Sequence, residues 1–234
     1  FKNLRRHPRW LVAALFMSIL SATYTNLFFS RIGSDRIINF TIDKTLEMSM
    51  ISNNEEAKKG VEEGREKALA DAKDPVIMAG QGVSGFASSV FGYAFLAAVF
   101  LLFAMAMGGK INFWQALSAA VYASFPVAVI RFVLNTILLF IKDPSDIHPI
   151  IGQQSLIQDN LSFLVTSAEH PVIYTLLGSF SLLLFYWLWM MATGLKNAGE
   201  KVTGTIAWSA ALGIYILLVF FGVAMAALFP GFIS

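Results

Sequence analysis

The 234-residue sequence contains no cysteine. That excludes a disulfide framework, a thiol nucleophile and any metal site built on cysteine. Histidine is almost as scarce: His7, His148 and His170 are the only three, and none are spaced like the paired ligands of a zinc helix. Charge is thin too. Asp, Glu, Lys and Arg make up 14% of the chain, against roughly a quarter in soluble domains. The formal net charge of +2 gives no reason to expect a nucleic acid partner. "AMGGK" fails as a phosphate loop, because Ala104 and Ile111 stand where that loop requires Gly and Ser or Thr. No Ser–His–acid spacing suggests a nucleophile. Catalytic residues, metal ligands and cofactor-binding residues are therefore not expected, and the chain reads as no enzyme.

What the sequence does have is apolar length. Hydrophobic residues make up 56% of it, and 21 are Phe, as suits helices facing acyl chains. Five runs with little or no charge are each near the ~20 residues that cross a bilayer: Trp10–Phe29, and about 85–107, 111–131, 172–195 and 205–229. The third can extend to Ile141. The expected fold is all-α: a polytopic membrane helix bundle of five transmembrane helices with an extracytoplasmic helical insertion. Its parts are a basic N-terminus and first span (1–30), a charged insertion (31–80) and a four-helix membrane region (81–234). Lys2, Arg5, Arg6 and Arg9 precede the first run. It reads as a retained span, since "SATYTNLFFS" offers no small-x-small cleavage site. The numbering starts at Phe1, so a trimmed N-terminus is expected.

The basic cluster beside the first span argues for a cytoplasmic N-terminus, which with five spans leaves the C-terminus outside. The expected location is the cytoplasmic (inner) membrane. Trp10, Trp114 and Trp208 begin spans one, three and five, and Trp187 and Trp189 lie in the second half of span four. In this arrangement all five fall toward one interface, where indole rings are favoured. "KINFWQALSAAV" from Lys110 and "KVTGTIAWSAAL" from Lys201 share Lys, Ala, Ser, Ala and Ala at matching offsets. Either the two hairpins are parallel repeats, or alanine-rich helices simply look alike.

The insertion should form two helices, about 35–51, started by Ser34 or Asp35, and 53–73, started by a capping box of Ser52 with Glu55 and ended by Pro75. The first carries Ile38, Ile42, Leu46 and Met50 along one face. The second has a thin apolar seam, Ala57, Val61, Ala68, Leu69 and Ala72, between opposite charges at helical spacing such as Glu63 with Lys67. It is either a solvated spacer or a docking helix for a partner, with Ala57, Val61 and Leu69 at the contact. In the second outside loop, Asp143, Asp146, His148, Asp159, Glu169 and His170 are read as turn chemistry rather than ligands.

Small residues recur every fourth position: Ala116, Ala120, Ser124 and Ala128 in span three, Ser84, Ser88 and Gly92 in span two, and Gly222 and Ala226 in span five. In lipid such stripes let helices approach closely. They face neighbouring helices, or alternatively a second copy of the chain in a homo-oligomer. Pro126 frees the Tyr122 carbonyl and should bend span three. Arg131 marks the outer interface if the span ends there. If the helix continues, Arg131 lies deeper, with Asn135 one turn on as its nearest partner.

Gly108 and Gly109, then Phe113 (or Trp114), then Tyr122 and Pro126, form a Gly-Gly-x-x-x-aromatic turn leading into a helix with Tyr-x-x-x-Pro. This pattern, with "WLWMMATGL" around Gly194, resembles the Yip family of five-span proteins, named for interaction with Ypt/Rab GTPases. The resemblance covers roughly 80–230. It implies a bundle with its N-terminus inside and C-terminus outside, and no known catalytic residues. Eukaryotic members act in vesicle traffic with Rab GTPases through a cytosolic N-terminal region. The long charged insertion departs from their short loops and suggests a prokaryotic relative, some of which are associated with transport machinery. The resulting expectation is a non-enzymatic accessory or scaffold subunit that contacts membrane lipids and other membrane-protein subunits. The alternatives are a small transporter or channel component, and a membrane-traffic factor acting with Rab GTPases.

Overall fold

Glycines and helix-start signals set the element boundaries. Helix α1, Leu11–Ile32, stops because Gly33 turns into the left-handed region at φ +89°. There its N–H reaches Phe29 O at 2.9 Å, a helix stop that any side chain would strain. Helix α2, Ser34–Glu47, starts at once. Ser34 and Asp35 thus lie within its first turn and not at the cap, and Gly33 O takes the Ile37 N–H. The computed structural model describes residues 9–47, 54–72, 74–166 and 169–228. The basic cluster Lys2–Arg6, His7, Met50 and Ser52 lie outside them.

Helix α3, Glu55–Asp71, starts from Asn54, whose side chain accepts the Ala57 N–H at 3.1 Å. The cap is therefore Asn54 and not Ser52, with Glu55 already helical. Pro75 opens the next helix instead of closing this one. It is the first residue of α4, Pro75–Ala106, where a missing N–H costs nothing. Asp74 caps that start by accepting from Val76 N at 2.7 Å. Helix α5, Phe113–Ile141, runs through Pro126, so the apolar stretch 132–141 belongs to it.

The expected fourth span is not one helix. It is divided into α7, Pro171–Gly178, and α8, Leu182–Ala198, after a short α6 at Pro149–Gln154. The cause is polar chemistry inside an apolar run. Ser179 and Phe180 N–H groups close back on Leu176 O and Leu177 O, ending α7. Ser181 then caps α8 by accepting from Leu184 N at 3.1 Å. Asp159 braces the same end: its carboxylate accepts the Ser181 hydroxyl and the Leu183 N–H, and its carbonyl accepts the Leu182 N–H. The Tyr215 hydroxyl donates to Ser179 O at 3.1 Å. An anion and a hydroxyl at a helix N-terminus outcompete helix continuation. Among the described residues four helices are long and apolar enough to cross a membrane: Leu11–Ile32, Gly82–Ala106, Phe113–Ile141 and Gly204–Leu228, the last being α9.

The chain divides into two units. One comprises 1–17, 88–130 and 158–234. Its core is built mostly from alanine: Ala13 and Ala14 of α1, Ala97 and Ala104 of α4, Ala116, Ala119, Ala120 and Ala123 of α5, Ala192 of α8, and Ala207, Ala210 and Ala211 of α9. Phe100, Leu188 and Met191 fill the space between them. The same phase of burial recurs at an offset of 91 residues: Ala97 with Leu188, Phe100 with Met191, Ala104 with Leu195, Ile111 with Val202 and Ala116 with Ala207 are all buried pairs. Two helical hairpins thus present equivalent faces to a shared core, which favours the repeat over chance likeness.

The other unit comprises 18–87 and 131–157. Tyr24, Phe28 and Ile32 of α1 cluster with Ile37, Leu139, Ile147 and Leu156. The Tyr24 hydroxyl donates to Gly152 O at 2.8 Å. Gly152 has no room for a side chain, since a Cβ would lie 2.7 Å from Ile147 and 3.0 Å from Phe28. Arg36 reaches from α2 to the carbonyls of Pro144, Ser145 and Ile147. Helices α2 and α3 pack side by side through Arg65, which donates to Asp43 at 2.7 Å and Asn39 at 3.2 Å.

Candidate functional site

The two hairpins of the alanine-rich unit meet at their turns. The first turn follows α4. There Gly108 occupies the left-handed region at φ +81°. Its N–H donates to Met105 O at 2.9 Å, while Gly109 N donates to Ala104 O at 2.8 Å. That pair of bonds is a Schellman helix stop. Each glycine has its own reason. Gly108 supplies the positive φ, and Gly109 supplies closeness, because a Cβ there would sit 2.8 Å from Ala104 O and 3.2 Å from Val202.

The first turn then feeds α5 through a reciprocal cap. Asn112 Oδ1 accepts the Gln115 N–H at 2.9 Å, and Gln115 Oε1 accepts the Asn112 N–H at 3.0 Å. This capping box was legible in "NFWQ" but was overshadowed by the glycines. The second turn, after α8, repeats the arrangement: Thr203 Oγ1 accepts the Ile206 N–H at 3.2 Å at the start of α9. Glu200 N donates to Lys110 O at 2.7 Å and joins the turns. Gly199 is pressed against the same contact, with a Cβ there only 2.3 Å from Val202 and 3.1 Å from Lys110 O. An open cleft of about 300 Å³ lies at this junction, with Lys110, Asn112, Gln115 and Glu200 as its polar wall and Met105 and Ile111 as its apolar one.

Aromatic rings flank the turns. Trp10 stacks on Trp114 at 6.4 Å, and Phe113 meets Trp114 edge-on at 5.4 Å. Trp114, Trp189 and Trp208 are exposed. Trp187 is tied into the helix packing. It lies 12 residues before Gly199, on the order of 18 Å along the helix at 1.5 Å per residue. There its Nε1 donates to Ser124 Oγ at 2.9 Å.

A family model described as Yip1 domain matches residues 1–228. The chain belongs to the Yip1 family. No curated protein and no solved structure matches it. The glycine, aromatic and Tyr-x-x-x-Pro pattern read from the sequence centres on the turn pair just described. Of its residues, Gly108 and Gly109 form the helix stop, Phe113 opens α5, Tyr122 and Pro126 are half-buried along α5, and Gly194 is buried in α8.

The small-residue stripe lies in this Yip1 core. Ala116 and Ala120 are fully buried, Ser124 and Ala128 half-buried. Ser124 is more than small. Besides accepting from Trp187, its hydroxyl donates to Ala120 O at 3.0 Å, so one serine ties α8 to α5. Ser118 is fully buried, and its hydroxyl has no hydrogen-bond partner among the described residues.

In the other unit, Arg131 is exposed, and Asn135 is not its partner. Asn135 is buried and its Oδ1 accepts from Leu156 N at 2.8 Å and Ile157 N at 3.1 Å. It anchors a loop. An amide isolated in the apolar stretch 132–141 was the signal for that role. Ala57, Val61 and Leu69 are half-buried on α3, the helix that packs along α2. The polar residues between α5 and α7 serve turns. His148 Nδ1 accepts from Ile150 and Ile151 N–H at 3.2 Å each, and Glu169 accepts the Thr166 hydroxyl at 3.0 Å. Asp143 accepts both the hydroxyl and the N–H of Ser145. Those bonds, the hydroxyl's first, hold its carboxyl below the ordinary value of 3.8, aided by the charges of Arg31 and Arg36. Among the described residues no three His, Asp or Glu gather as metal ligands would.

Proposed function

We propose that this Yip1-family protein is a non-enzymatic accessory or scaffold subunit of a complex in the cytoplasmic membrane, with its N-terminus inside and C-terminus outside. The observation that carries the reading is the α2–α3 pair. It is a folded, charged module in which the two helices hold each other through Arg65, while Glu56, Lys59, Glu63, Glu66 and Lys67 remain exposed. Such a surface suits a protein partner outside the membrane. In support of five crossings, α5 leaves the turn pair and α8 returns to it. The broken α7–α8 segment then serves as the fourth crossing, its freed backbone groups met by Asp159, Ser181 and Tyr215.

The test replaces Glu55–Asp71 with a flexible Gly/Ser linker and compares partners retained in mild detergent. Loss of a partner that binds the parent chain is expected. Retention of every partner overturns the docking role. One observation favours a second reading, a small transporter component: discontinuous helices often line substrate paths, and α7–α8 is discontinuous. Pro126 and Arg131 would then lie along the path. Flux in proteoliposomes that Arg131→Ala abolishes would support this reading, whereas no flux from the parent chain would exclude it.

A further inference from the structure

The tight helical turn Leu161–Leu164 is inverted for a segment that meets water. Its serine is inside: Ser162 is buried, and Asn160 Oδ1 accepts both its N–H and its hydroxyl. Its large apolar side chains are outside, with Phe163 and Leu164 each 62% exposed and Leu161 42%. Residues 160–168 carry no charge. Single exposed apolar side chains are ordinary on a wet surface, but three around a buried serine call for a cover. We infer that this turn is re-entrant: it dips into the bilayer from the face opposite the turn pair, and acyl chains cover Leu161, Phe163 and Leu164. The inference rests on the proposed crossing through α7 and α8.

Depth identifies the cover. An isolated antiparallel bridge pairs Asn160 with Ser181, the cap of α8, and Asp159 O accepts the Leu182 N–H at 3.1 Å. The turn therefore begins level with the start of α8. Lys196 and Lys201 flank the other end of that helix and mark the interface at the turn pair. α8 has 17 residues, so its start lies at most on the order of 25 Å from that end at 1.5 Å per residue. That falls short of the ~30 Å hydrocarbon core, and any tilt shortens it further. Tyr215 gives the same depth independently. From near the middle of α9, itself long enough to cross, it donates to Ser179 O at 3.1 Å. Non-helical backbone at such depth must have its polar groups met within the protein. Here Asn160 takes the Ser162 N–H, Ser162 O takes the Val165 N–H, and Asp159 takes those of Leu182 and Leu183. α7, with 8 residues, then spans about 12 Å from the break to the exposed Glu169 and His170, where polar groups return.

The chain has no cysteine, so a fluorophore on one introduced cysteine reports one depth. The experiment labels Phe163→Cys and, as the reference, Glu169→Cys in the full chain, in phosphatidylcholine nanodiscs that leave both faces open. Quenching is read with iodide in the water and with lipid bearing a nitroxide on its acyl chain. The Phe163→Cys probe should emit to the blue of the reference, with severalfold more quenching by the nitroxide lipid and severalfold less by iodide. Leu164→Cys, the neighbouring exposed site, repeats the measurement should Phe163→Cys not fold. Equal behaviour of probe and reference overturns the proposal. So does shielding of the Phe163→Cys probe from both agents, which would mean that protein covers the turn. The underlying crossing is read separately, by an impermeant maleimide on intact cells. If Lys201→Cys reacts together with Lys59→Cys, the crossing fails and the re-entrant turn with it. If Lys201→Cys is protected and iodide still quenches the Phe163→Cys probe as it does the reference, the re-entrant turn alone is overturned.

Discussion

Two adjacent glycines in the first turn do different work, and substitution separates them. Gly108→Ala imposes a side chain on φ +81° in otherwise open space and should cost about 1–2 kcal/mol. Gly109→Ala pushes a methyl against a backbone carbonyl at 2.8 Å. Because that atom cannot swing aside, the hairpin must shift, and the loss of melting temperature in detergent should exceed that of Gly108→Ala. Two serines on α5 diverge in the same way. Ser124→Ala strands the Trp187 N–H and should cost about 0.6–2 kcal/mol. Ser118→Ala removes a buried hydroxyl with no partner among the described residues and should be neutral or stabilising. A stability assay that reversed this order would refute the assignment of Ser124 as the inter-helix tie. The sequence made both serines visible only as small residues, because hydrogen bonding depends on what faces them across the core.

At the scale of elements, apolar runs located α1, α4, α5 and α9, since length and the absence of charge are one-dimensional properties. The break between α7 and α8 was hidden. Ser179 and Ser181 look harmless in a leucine-rich run, and the group that makes Ser181 a cap, Asp159, arrives from 22 residues away. Asn54 displaced Ser52 for a related reason, since both residues can cap. The α2–α3 pair was legible as two helices, but their mutual contact was not. It depends on Arg65, whose bonds to Asp43 and Glu62 hold its guanidinium more firmly protonated than usual. Arg65→Met should therefore raise amide exchange along Glu55–Asp71 and leave α4 and α5 unchanged. Added salt should raise exchange in the parent chain in the same direction, because the pairs are solvent-facing.

For the whole molecule, the decisive contact is the 2.7 Å bond from Glu200 N to Lys110 O. The turns it joins are separated in sequence by α5, the 142–170 loop and the broken helix α7–α8. α5 has 29 residues, on the order of 43 Å at 1.5 Å per residue, more than the ~30 Å hydrocarbon core. In the proposed five-span arrangement, a chain that leaves one turn along α5 recrosses that thickness through α7 and α8 to reach the other. Neither α7, with 8 residues, nor α8, with 17, is long enough to make that return alone. A chain without cysteine allows a direct test with single-cysteine variants and a membrane-impermeant maleimide on intact cells. Lys59→Cys on α3 should react. Lys110→Cys and Lys201→Cys should both stay protected until the membrane is opened, placing the two turns on the cytoplasmic side. Reaction of Lys201→Cys alongside Lys59→Cys would mean that α7–α8 does not cross, and would put on opposite faces two turns that share a hydrogen bond.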